Sequence, residues 1–337
     1  MKAVVVRGRD DLSVMDVPEP ACGQGQVAVA VEYGGICGSD LHYWKDGAVG
    51  TSALRAPMIL GHEVAGRIQH IGSGVRDLDV GDAVTIHPGH PCGSCAECRH
   101  ARPHLCRDMA YLGSAAHVPH CDGAFAQLVV VPAEQLRVLP DGVSTKDAAA
   151  AEPLAVALHA ANRAGDLRGR TVLVNGAGPL GCLVVAAACR AGAGHVTVSD
   201  LEDTALALAT AMGAQDTVNV TTTDLPADVD VVFEVSGAPA ALAPCLHAVA
   251  RGGTLVQVGM LPRQATPVDL SQLVTKEIDY RGSMRFVDEI TDAVRALADG
   301  LDVGPLLAHT LPVDDATTAF ETALDPQVAG KVLLSFR

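Results

Sequence analysis

One segment limits the possible folds of this chain more than any other. Gly176-Ala-Gly178-Pro-Leu-Gly181 follows a β-branched run, Thr171–Asn175, and precedes an Ala-rich stretch. A Gly-x-Gly-x-x-Gly turn between a strand and a helix lets backbone amides approach a pyrophosphate at the positive end of the helix. Asp200 ends the next predicted strand, where a carboxylate accepts hydrogen bonds from both hydroxyls of an adenosine ribose. We therefore predict a dinucleotide site that contains Gly176, Gly178, Pro179, Leu180, Gly181 and Asp200.

The residues around Asp200 also bear on which dinucleotide is bound. A carboxylate at this position would repel a ribose 2′-phosphate, and the neighbouring Leu201 offers no cation to receive one. The sequence therefore favours NAD over NADP.

The rest of the chain predicts an α/β protein of two domains. Val-rich strands alternate with Ala-rich helices in one part, which is typical of a doubly wound parallel sheet; the strands are Thr171–Asn175, His195–Ser199, Thr217–Val220, Asp230–Glu234, Thr254–Val258 and Ile278–Gly282. The first part is β-rich, with strands predicted at Val27–Glu32, Val64–Ile71, Ala83–His87 and Ala124–Val131. A helix, Val287–Leu297, and a strand, Lys331–Phe336, follow the parallel sheet. We place one domain at 1–147, completed by 287–337, and the dinucleotide-binding domain at 148–286.

Charge excludes several kinds of partner. With 24 Lys and Arg against 39 Asp and Glu, the formal net charge is −15, which opposes nucleic acid and anionic membrane surfaces. The uncharged stretch Thr171–Cys189 contains Pro179 and three glycines, so a strand, a turn and a helix explain it better than a membrane span. We expect a soluble, cytoplasmic protein with a small-molecule substrate.

Four cysteines are spaced for a metal ion, as Cys92-x2-Cys95-x2-Cys98-x7-Cys106. Four thiolates at these intervals can surround one tetrahedral zinc ion of the structural type. An iron–sulfur cluster is the main alternative, but its motifs have a shorter last gap and a proline after the last cysteine, where this chain has Arg107. Disulfides do not form readily in a reducing compartment. The spacing therefore indicates structural zinc.

A second group of residues predicts a metal site with an open position. Cys37 lies in Gly34-Gly-Ile-Cys-Gly-Ser-Asp-Leu-His42, and His62 lies in Gly61-His-Glu63. Glycines flank both, and Glu63 and Glu152 supply carboxylates. Mixed sulfur, nitrogen and oxygen ligands of this kind are typical of catalytic zinc.

Taken together, these segments resemble the zinc-dependent medium-chain dehydrogenases over nearly the whole chain. The resemblance is carried by Cys37-Gly-Ser-Asp40, Gly61-His-Glu63, the four cysteines, Glu152-Pro-Leu154, the glycine-rich turn and Gly330-Lys-Val332. Within the family the chain is most similar to the idonate-like part of the polyol branch, through Gly35–Trp44, Tyr111–Ala116, Pro119–Gly123 and Gly282–Phe286. The fold implied is a GroES-like β-rich domain and a Rossmann domain.

The resemblance also implies roles for single residues. Cys37, His62 and Glu63 match a catalytic zinc shell, and Glu152 matches an acid that is a zinc ligand in some relatives and not in others. Cys92, Cys95, Cys98 and Cys106 match a structural zinc lobe, which gives two zinc ions per chain. Ser39 and His42 match a proton relay, so the catalytic residues are Ser39, His42 and Glu152. The matching substrate contacts are Tyr43, Glu152, Arg285 and Phe286.

The expected reaction is NAD-linked oxidation of a secondary alcohol on an open-chain sugar acid, with L-idonate as the first candidate and 5-keto-D-gluconate as its product. A neutral polyol such as sorbitol or xylitol is the alternative substrate. Two competing hypotheses are a zinc-free reductase of the same superfamily and a non-catalytic NAD(H)-binding sensor. The resemblance suggests a homotetramer, or otherwise a dimer.

Overall fold

The computed structural model of the chain describes residues 1–263 and 266–337. Within those residues the strands, in chain order, are β1 Lys2–Gly8, β2 Asp11–Asp16, β3 Gln26–Gly35, β4 Ala48–Val49, β5 Ser52–Ala53, β6 Met58–Ile59, β7 Glu63–Ile71, β8 Ala83–Ile86, β9 Gly89–His90, β10 Ala110–Tyr111, β11 Leu128–Pro132, β12 Leu136–Val138, β13 Thr171–Asn175, β14 His195–Asp200, β15 Asp216–Asn219, β16 Val229–Glu234, β17 Val249–Gln257, β18 Asp279–Gly282, β19 His309–Pro312 and β20 Val332–Ser335. The helices are α1 Gly38–Asp46, α2 Ala96–Arg99, α3 Thr145–Ala148, α4 Ala151–Ala164, α5 Pro179–Arg190, α6 Asp203–Ala211, α7 Pro239–Ala248, α8 Ser271–Thr275, α9 Glu289–Ala298 and α10 Ala316–Leu324. Short 3-10 turns lie at Pro103–Leu105, Ala133–Gln135 and Val313–Asp315.

The chain forms two compact units. The first comprises Met1–Glu152, Ile290–Asp325 and Lys331–Arg337, and the second comprises Pro153–Glu289 and Pro326–Gly330. The chain therefore passes between the units inside α4, at the start of α9 and on either side of Pro326–Gly330. The boundaries predicted at 147/148 and 286/287 lie close to the first two of these crossings.

The first unit is built on a β-sheet with the order β12-β8-β7-β3-β20-β19, in which β11 also pairs with β3. Strand β20 runs antiparallel to β3 and sets Leu333 opposite Gly35, so a strand from the last part of the chain lies beside the strand that leads to Cys37. The core below the sheet is apolar; it includes Val29, Val64, Val84, Phe125, Phe320 and Leu334, each at most 1% exposed.

Phe125 explains why the segment predicted as the strand Ala124–Val131 is extended only from Leu128. The backbone N–H groups of Ala124 and Phe125 donate to the carbonyls of Gly61 and Leu60 at 2.8 Å each. The Phe125 ring fills the space beside Gly61, where a Cβ atom would lie 2.1 Å from the ring. Gly61 has φ +95°, a backbone conformation that glycine adopts readily. The turn before His62 is therefore fixed by packing.

The second unit contains the predicted doubly wound sheet. Its strand order is β15-β14-β13-β16-β17-β18, and every adjacent pair is parallel. This confirms the α/β fold class, including the sixth strand. Strand β17 begins at Val249, earlier than the predicted Thr254. One apolar cluster joins buried residues of β13, β16 and β17 to α7; it includes Leu173, Val232, Leu246 and Leu255.

The second unit also contains a nearly buried pair of titratable side chains. His159 lies on α4 and Glu289 at the start of α9, and Nδ1 of His159 is 2.8 Å from Oε1 of Glu289. The pair therefore connects two helices that are 130 residues apart in the chain.

The uncharged stretch Thr171–Cys189 divides into β13 and α5, as predicted. Within the described residues, no helix is both long enough and apolar enough to cross a bilayer.

Candidate metal and cofactor sites

Cys37 lies where β3 gives way to α1, and it is the residue that precedes the first turn of that helix. The buried Asp40 side chain accepts the backbone N–H of Cys37 at 2.9 Å through one oxygen and the backbone N–H of Gly61 at 3.1 Å through the other. A single carboxylate thus holds together the two loops that carry Cys37 and His62. Buried backbone donors need such partners, so Asp40 gives both loops a defined position.

Three side chains converge at this point. The Cys37 thiol, a ring nitrogen of His62 and a carboxylate oxygen of Glu63 all lie within 4.8 Å of one another. Within the described part of the chain, the buried Nδ1 of His62 has no hydrogen-bond partner, and Oδ1 of Asp40 is 3.9 Å from it. Sulfur, imidazole and carboxylate are the ligand types of catalytic zinc, and three protein ligands leave one position open. These residues therefore fit a zinc ion by donor chemistry.

Lys331 brings a positive charge to the same place. Its Nζ donates to the Glu63 carboxylate at 2.7 Å and to the Ile36 carbonyl at 3.1 Å. Both charged side chains are at most 6% exposed. Burial by itself would lower the pKa of Lys331, but Glu63 and Cys37 raise it above its ordinary value, so the ammonium stays charged.

Glu152 is buried close by and has a different partner. The hydroxyl of Tyr111 donates to Oε1 of Glu152 at 2.7 Å, and the Tyr111 ring lies 5.7 Å from the His62 ring between centroids. Burial raises the pKa of Glu152, and the nearby Glu63 raises it further, whereas His62 and Tyr111 lower it. Two acids in a low-dielectric site oppose each other's ionisation, so each needs a donor of its own.

The predicted relay residues lie on α1. Ser39 is half-buried, and His42 is exposed, with Nδ1 2.8 Å from Oδ2 of Asp46. Residues three apart lie on one helix face, so Ser39 and His42 share a side of α1. Tyr43 is 3% exposed, and its hydroxyl accepts the backbone N–H of Ala115 at 2.9 Å. Tyr43 thereby ties α1 to the Tyr111–Ala116 segment.

The four cysteines come together as the spacing predicts. Sγ of Cys95 lies 3.5 Å from that of Cys98 and 3.8 Å from that of Cys106, and Cys92 and Cys106 are 3.5 Å apart. Backbone N–H groups of Cys98 and Arg107 lower the pKa of the Cys95 thiol to about 6. Burial raises the pKa of the Cys98 thiol to about 12, so the N–H donors favour the thiolate at Cys95 and not at Cys98. The four sulfur atoms lie at separations that suit one tetrahedral ion.

The glycine-rich turn opens α5 in the second unit. Gly176 has φ +105°, and a Cβ on Gly181 would lie 1.8 Å from the Gly176 carbonyl oxygen, so both positions require glycine. Gly178 precedes Pro179 at the helix start, and a Cβ there would meet no atom within 4 Å. Asp200 accepts N–H groups from Ala177 at 2.6 Å, Leu201 at 2.7 Å and Glu202 at 3.1 Å. Because a carboxylate has about four acceptor positions, Asp200 retains capacity for a ribose hydroxyl.

The two remaining predicted substrate residues are neighbours in the second unit. Arg285 is half-buried and has φ +52°, a left-handed backbone conformation that is uncommon for a non-glycine residue. Phe286 is 3% exposed. Glu277 and Asp228 of the same unit share this backbone conformation, so the roles of Arg285 and Phe286 as substrate contacts stay predictions.

Three residues around Cys37, His62 and Glu63 were not assigned a role from sequence. Asp40 and Lys331 occur in segments that carry the family resemblance, and Tyr111 begins another. Their partners lie far along the chain: Tyr111 is 41 residues before Glu152, and Lys331 is 268 residues after Glu63. The contact between Asp40 and Cys37 has the three-residue spacing of a capping box, which is a sequence signal for a helix start. No spacing rule connects Lys331 to Glu63 or Tyr111 to Glu152.

Comparison with known proteins finds similar enzymes that match nearly the whole chain. Residues 23–141 match the alcohol dehydrogenase GroES-like domain, and residues 179–299 match the zinc-binding dehydrogenase family. L-idonate 5-dehydrogenase (NAD(P)(+)) of Escherichia coli strain K12 is 40% identical over an alignment of 342 positions, gaps included. The alignment covers 99% of this chain and 98% of that protein. A sorbitol dehydrogenase of Bacillus subtilis strain 168 is 36% identical over 334 residues, covering 96% and 94%. The crystal structure of L-idonate 5-dehydrogenase from Escherichia coli K-12 MG1655 superposes with a TM-score of 0.95 at 39% identity, covering 99% and 98%.

The chain therefore belongs to the zinc-dependent medium-chain dehydrogenase family. It is an oxidoreductase of the polyol and sugar-acid type, with zinc and a nicotinamide dinucleotide as cofactors. The expected fold of a GroES-like domain and a Rossmann domain is confirmed. The non-catalytic sensor is excluded by membership of this enzyme family.

Proposed function

We propose that the protein oxidises a secondary alcohol on an open-chain sugar acid with NAD⁺, and that L-idonate, converted reversibly to 5-keto-D-gluconate, is the substrate. The buried set of Cys37, His62 and Glu63 carries the proposal for the reaction type, because it supplies three zinc ligands and leaves a position open. The relative that is 40% identical over 342 residues supports the substrate.

In this proposal Cys37, His62 and Glu63 hold the catalytic zinc, and Cys92, Cys95, Cys98 and Cys106 hold a structural one. Zinc at the first site would supply Lewis acidity toward the alcohol oxygen, and NAD⁺ would accept the hydride. Lys331 balances the charge of Glu63, and Asp40 fixes the loops that carry Cys37 and His62. These contacts keep the donor atoms in place before substrate binds.

Ser39, His42 and Glu152 are the proposed catalytic residues. Ser39 accepts the proton of the alcohol as it releases its own hydroxyl proton toward His42, which is exposed on the same face of α1 and passes a proton to solvent. The Asp46 carboxylate, 2.8 Å from Nδ1 of His42, orients that ring. Glu152 holds its carboxylate beside the donor set, where it can orient a substrate hydroxyl.

Substrate recognition is assigned to Tyr43, Glu152, Arg285 and Phe286. Arg285 is the proposed partner of the sugar-acid carboxylate, because a planar guanidinium forms two parallel hydrogen bonds with such a group. Tyr43 and Phe286 are buried and contribute shape rather than charge. The Tyr43 hydroxyl already accepts a backbone N–H, so it can act only as a donor toward substrate.

The cofactor residues proposed are Gly176, Gly178, Pro179, Leu180, Gly181 and Asp200. The open space at Gly178 and the start of α5 suit a pyrophosphate. Asp200 favours the ribose hydroxyls of NAD over the phosphate of NADP. We also propose a cytoplasmic homotetramer; ten free cysteines favour a reducing compartment, and sedimentation velocity would give the oligomeric state.

A neutral polyol is the second candidate substrate, because the Bacillus subtilis relative that is 36% identical is a sorbitol dehydrogenase. Steady-state kinetics on L-idonate, 5-keto-D-gluconate, sorbitol and xylitol, with NAD⁺ or NADP⁺ for the alcohols and the reduced cofactors for the ketone, decides between them. A kcat/KM for sorbitol above that for L-idonate would reject the sugar acid.

Arg285→Ala separates the two candidates independently. Loss of a charge-assisted contact should cost ~2 kcal/mol, which is about thirtyfold in kcat/KM on L-idonate, with little effect on sorbitol. Arg281→Ala is a matched control, since that arginine lies nearby and pairs with Asp279 at 2.7 Å. Equal losses on both substrates would remove the carboxylate role of Arg285.

A further inference from the structure

The two buried glutamates of the first unit have different partners. Glu63 receives the ammonium of Lys331 at 2.7 Å, whereas Glu152 receives the neutral hydroxyl of Tyr111 at 2.7 Å. Among the described residues, the close set of possible metal ligands includes Glu63 together with Cys37 and His62, and it does not include Glu152. The structure thus distinguishes two acids that the sequence leaves equivalent.

Tyr111 is held firmly enough to impose this difference. It lies on β10, where it pairs with Gly89 of β9, and a Cβ on Gly89 would lie 3.4 Å from the Tyr111 ring. The ring also lies against His62, with their planes tilted by 60°. A hydroxyl on a ring packed in this way keeps one position, so the carboxylate that accepts from it is held as well.

A fourth protein ligand would close a tetrahedral zinc site, whereas three leave a place for substrate. Glu152 is 4% exposed and next to the donor set, so a bound cation would attract its carboxylate. The hydrogen bond from Tyr111 opposes that movement, because turning toward the metal would break it.

We infer that Tyr111 is a positioning residue of the metal centre: its hydroxyl holds the Glu152 carboxylate beside the Cys37, His62 and Glu63 set and so keeps one coordination position open for the alcohol. The inference rests on the proposed zinc ligands. In this inference Tyr111 does not contact the substrate or the cofactor. It affects catalysis only by positioning the Glu152 carboxylate.

The test compares Tyr111→Phe, Glu152→Gln and the double variant, with Tyr33→Phe as a control, since Tyr33 packs against Arg337 with its ring centroid 5.0 Å away. Zinc is replaced by Co²⁺, and the visible d–d absorption of each variant is recorded without substrate. The difference spectrum cancels the four-cysteine lobe, which no variant touches. Tyr111→Phe should shift these bands and slow the release of the metal to a chelator, and Tyr33→Phe should do neither.

Kinetics on whichever alcohol the enzyme oxidises complete the test. Tyr111→Phe should lower kcat by about tenfold to a hundredfold and leave the KM for NAD⁺ unchanged. In the Glu152→Gln background, the same substitution should cost less than about twofold, because its effect passes through Glu152. An unchanged cobalt spectrum, or an equal cost in both backgrounds, would overturn the role of Tyr111.

Failure of the proposed metal site gives a different result. If the protein binds one metal ion per chain and still binds it when Cys37 is replaced, Cys37, His62 and Glu63 are not metal ligands. Two metal ions per chain with a cobalt spectrum indifferent to Tyr111 would reject the Tyr111 inference alone.

Discussion

The two candidate metal sites of the first unit are built in opposite ways. The first site takes all four cysteines from one short segment, Cys92–Cys106. This segment contains the short helix α2, and no residue of α2 is buried. The second set draws on β3, α1, β7, α4 and β20, and His62, Glu63, Glu152 and Lys331 are all at most 6% exposed. One site depends on a short stretch of chain and its metal, whereas the other depends on the folded core around it.

Replacing one ligand in each site should therefore have different consequences, and the largest effect is expected at Cys37. Cys37→Ala removes a ligand of the catalytic set, and loss of Lewis-acid stabilisation worth several kcal/mol should lower kcat/KM by about a thousandfold or more. Metal analysis should fall from two ions per chain to one, with the melting temperature little changed. Activity within tenfold of the original would contradict the assignment.

The second largest effect is expected at Lys331. Because the site around Cys37 depends on the folded core, we expect a substitution here to lower the free energy of unfolding of the protein. Lys331→Met leaves Glu63 buried without its cation, and breaking one partner of a buried pair costs about 3–5 kcal/mol. Chemical denaturation of the metal-free protein measures this cost, because a zinc ion bound to Glu63 would itself compensate the charge of the carboxylate. The double variant Glu63→Gln, Lys331→Met should recover part of the lost free energy of unfolding. A loss below about 1 kcal/mol for Lys331→Met alone would show that the ion pair does not stabilise the fold.

For the four-cysteine site we expect a local effect. Cys95→Ser should release the metal and unfold the lobe while the sheet of the first unit persists, because most of the order of such lobes comes from metal binding. Trypsin should then cut after the exposed Arg99 and Arg107 at least about tenfold faster. Cys22→Ser, outside the set, is the control. Loss of the whole fold would show that the lobe supports the core after all.

The smallest effect is expected at Glu289, which lies outside both metal sites. This prediction tests whether the loss of stability in acid comes from the metal sites or from Glu289. Burial would raise the pKa of Glu289, but His159 and backbone N–H groups lower it to about 2, below its ordinary value of 4.5. Because the folded pKa is the lower one, the stability from Glu289 is present above about pH 4.5 and is lost as pH falls toward 2. Glu289→Gln should flatten the melting temperature between those values, whereas the exposed Glu277→Gln should not. Identical profiles for all three proteins would place the acid sensitivity elsewhere.

The same contrast explains how far the sequence predicts the structure. The cysteine lobe and the glycine-rich turn follow from spacing, because all their residues are close together in the chain. The four central strands of the parallel sheet, β13, β14, β16 and β17, follow from hydrophobic runs that are largely buried. The strand expected at Ala124 begins at Leu128 instead, since the N–H groups of Ala124 and Phe125 donate to the His62 turn. That contact joins two distant segments, which no local pattern reveals.

The centre around Cys37 could be predicted only in part, for the same reason. Cys37, His62 and Glu63 lie in glycine-flanked segments that indicate ligands, and the structure brings them within 4.8 Å of one another. Asp40 reaches Gly61, Lys331 reaches Glu63 and Tyr111 reaches Glu152 through tertiary contacts. Propensity and spacing contain nothing about which carboxylate a distant lysine or tyrosine will meet.

The pairing of β20 with β3 also sets an order of events during synthesis on the ribosome. Leu333 lies opposite Gly35, and the sequence of the second unit, Pro153–Glu289, is translated between them. That unit can emerge and begin to fold while the β3 edge that waits for β20 is still uncovered. Glu63 meanwhile lacks Lys331. The nascent protein therefore passes through a stage in which Pro153–Glu289 of the second unit can fold while the Glu63–Lys331 charge pair cannot yet form.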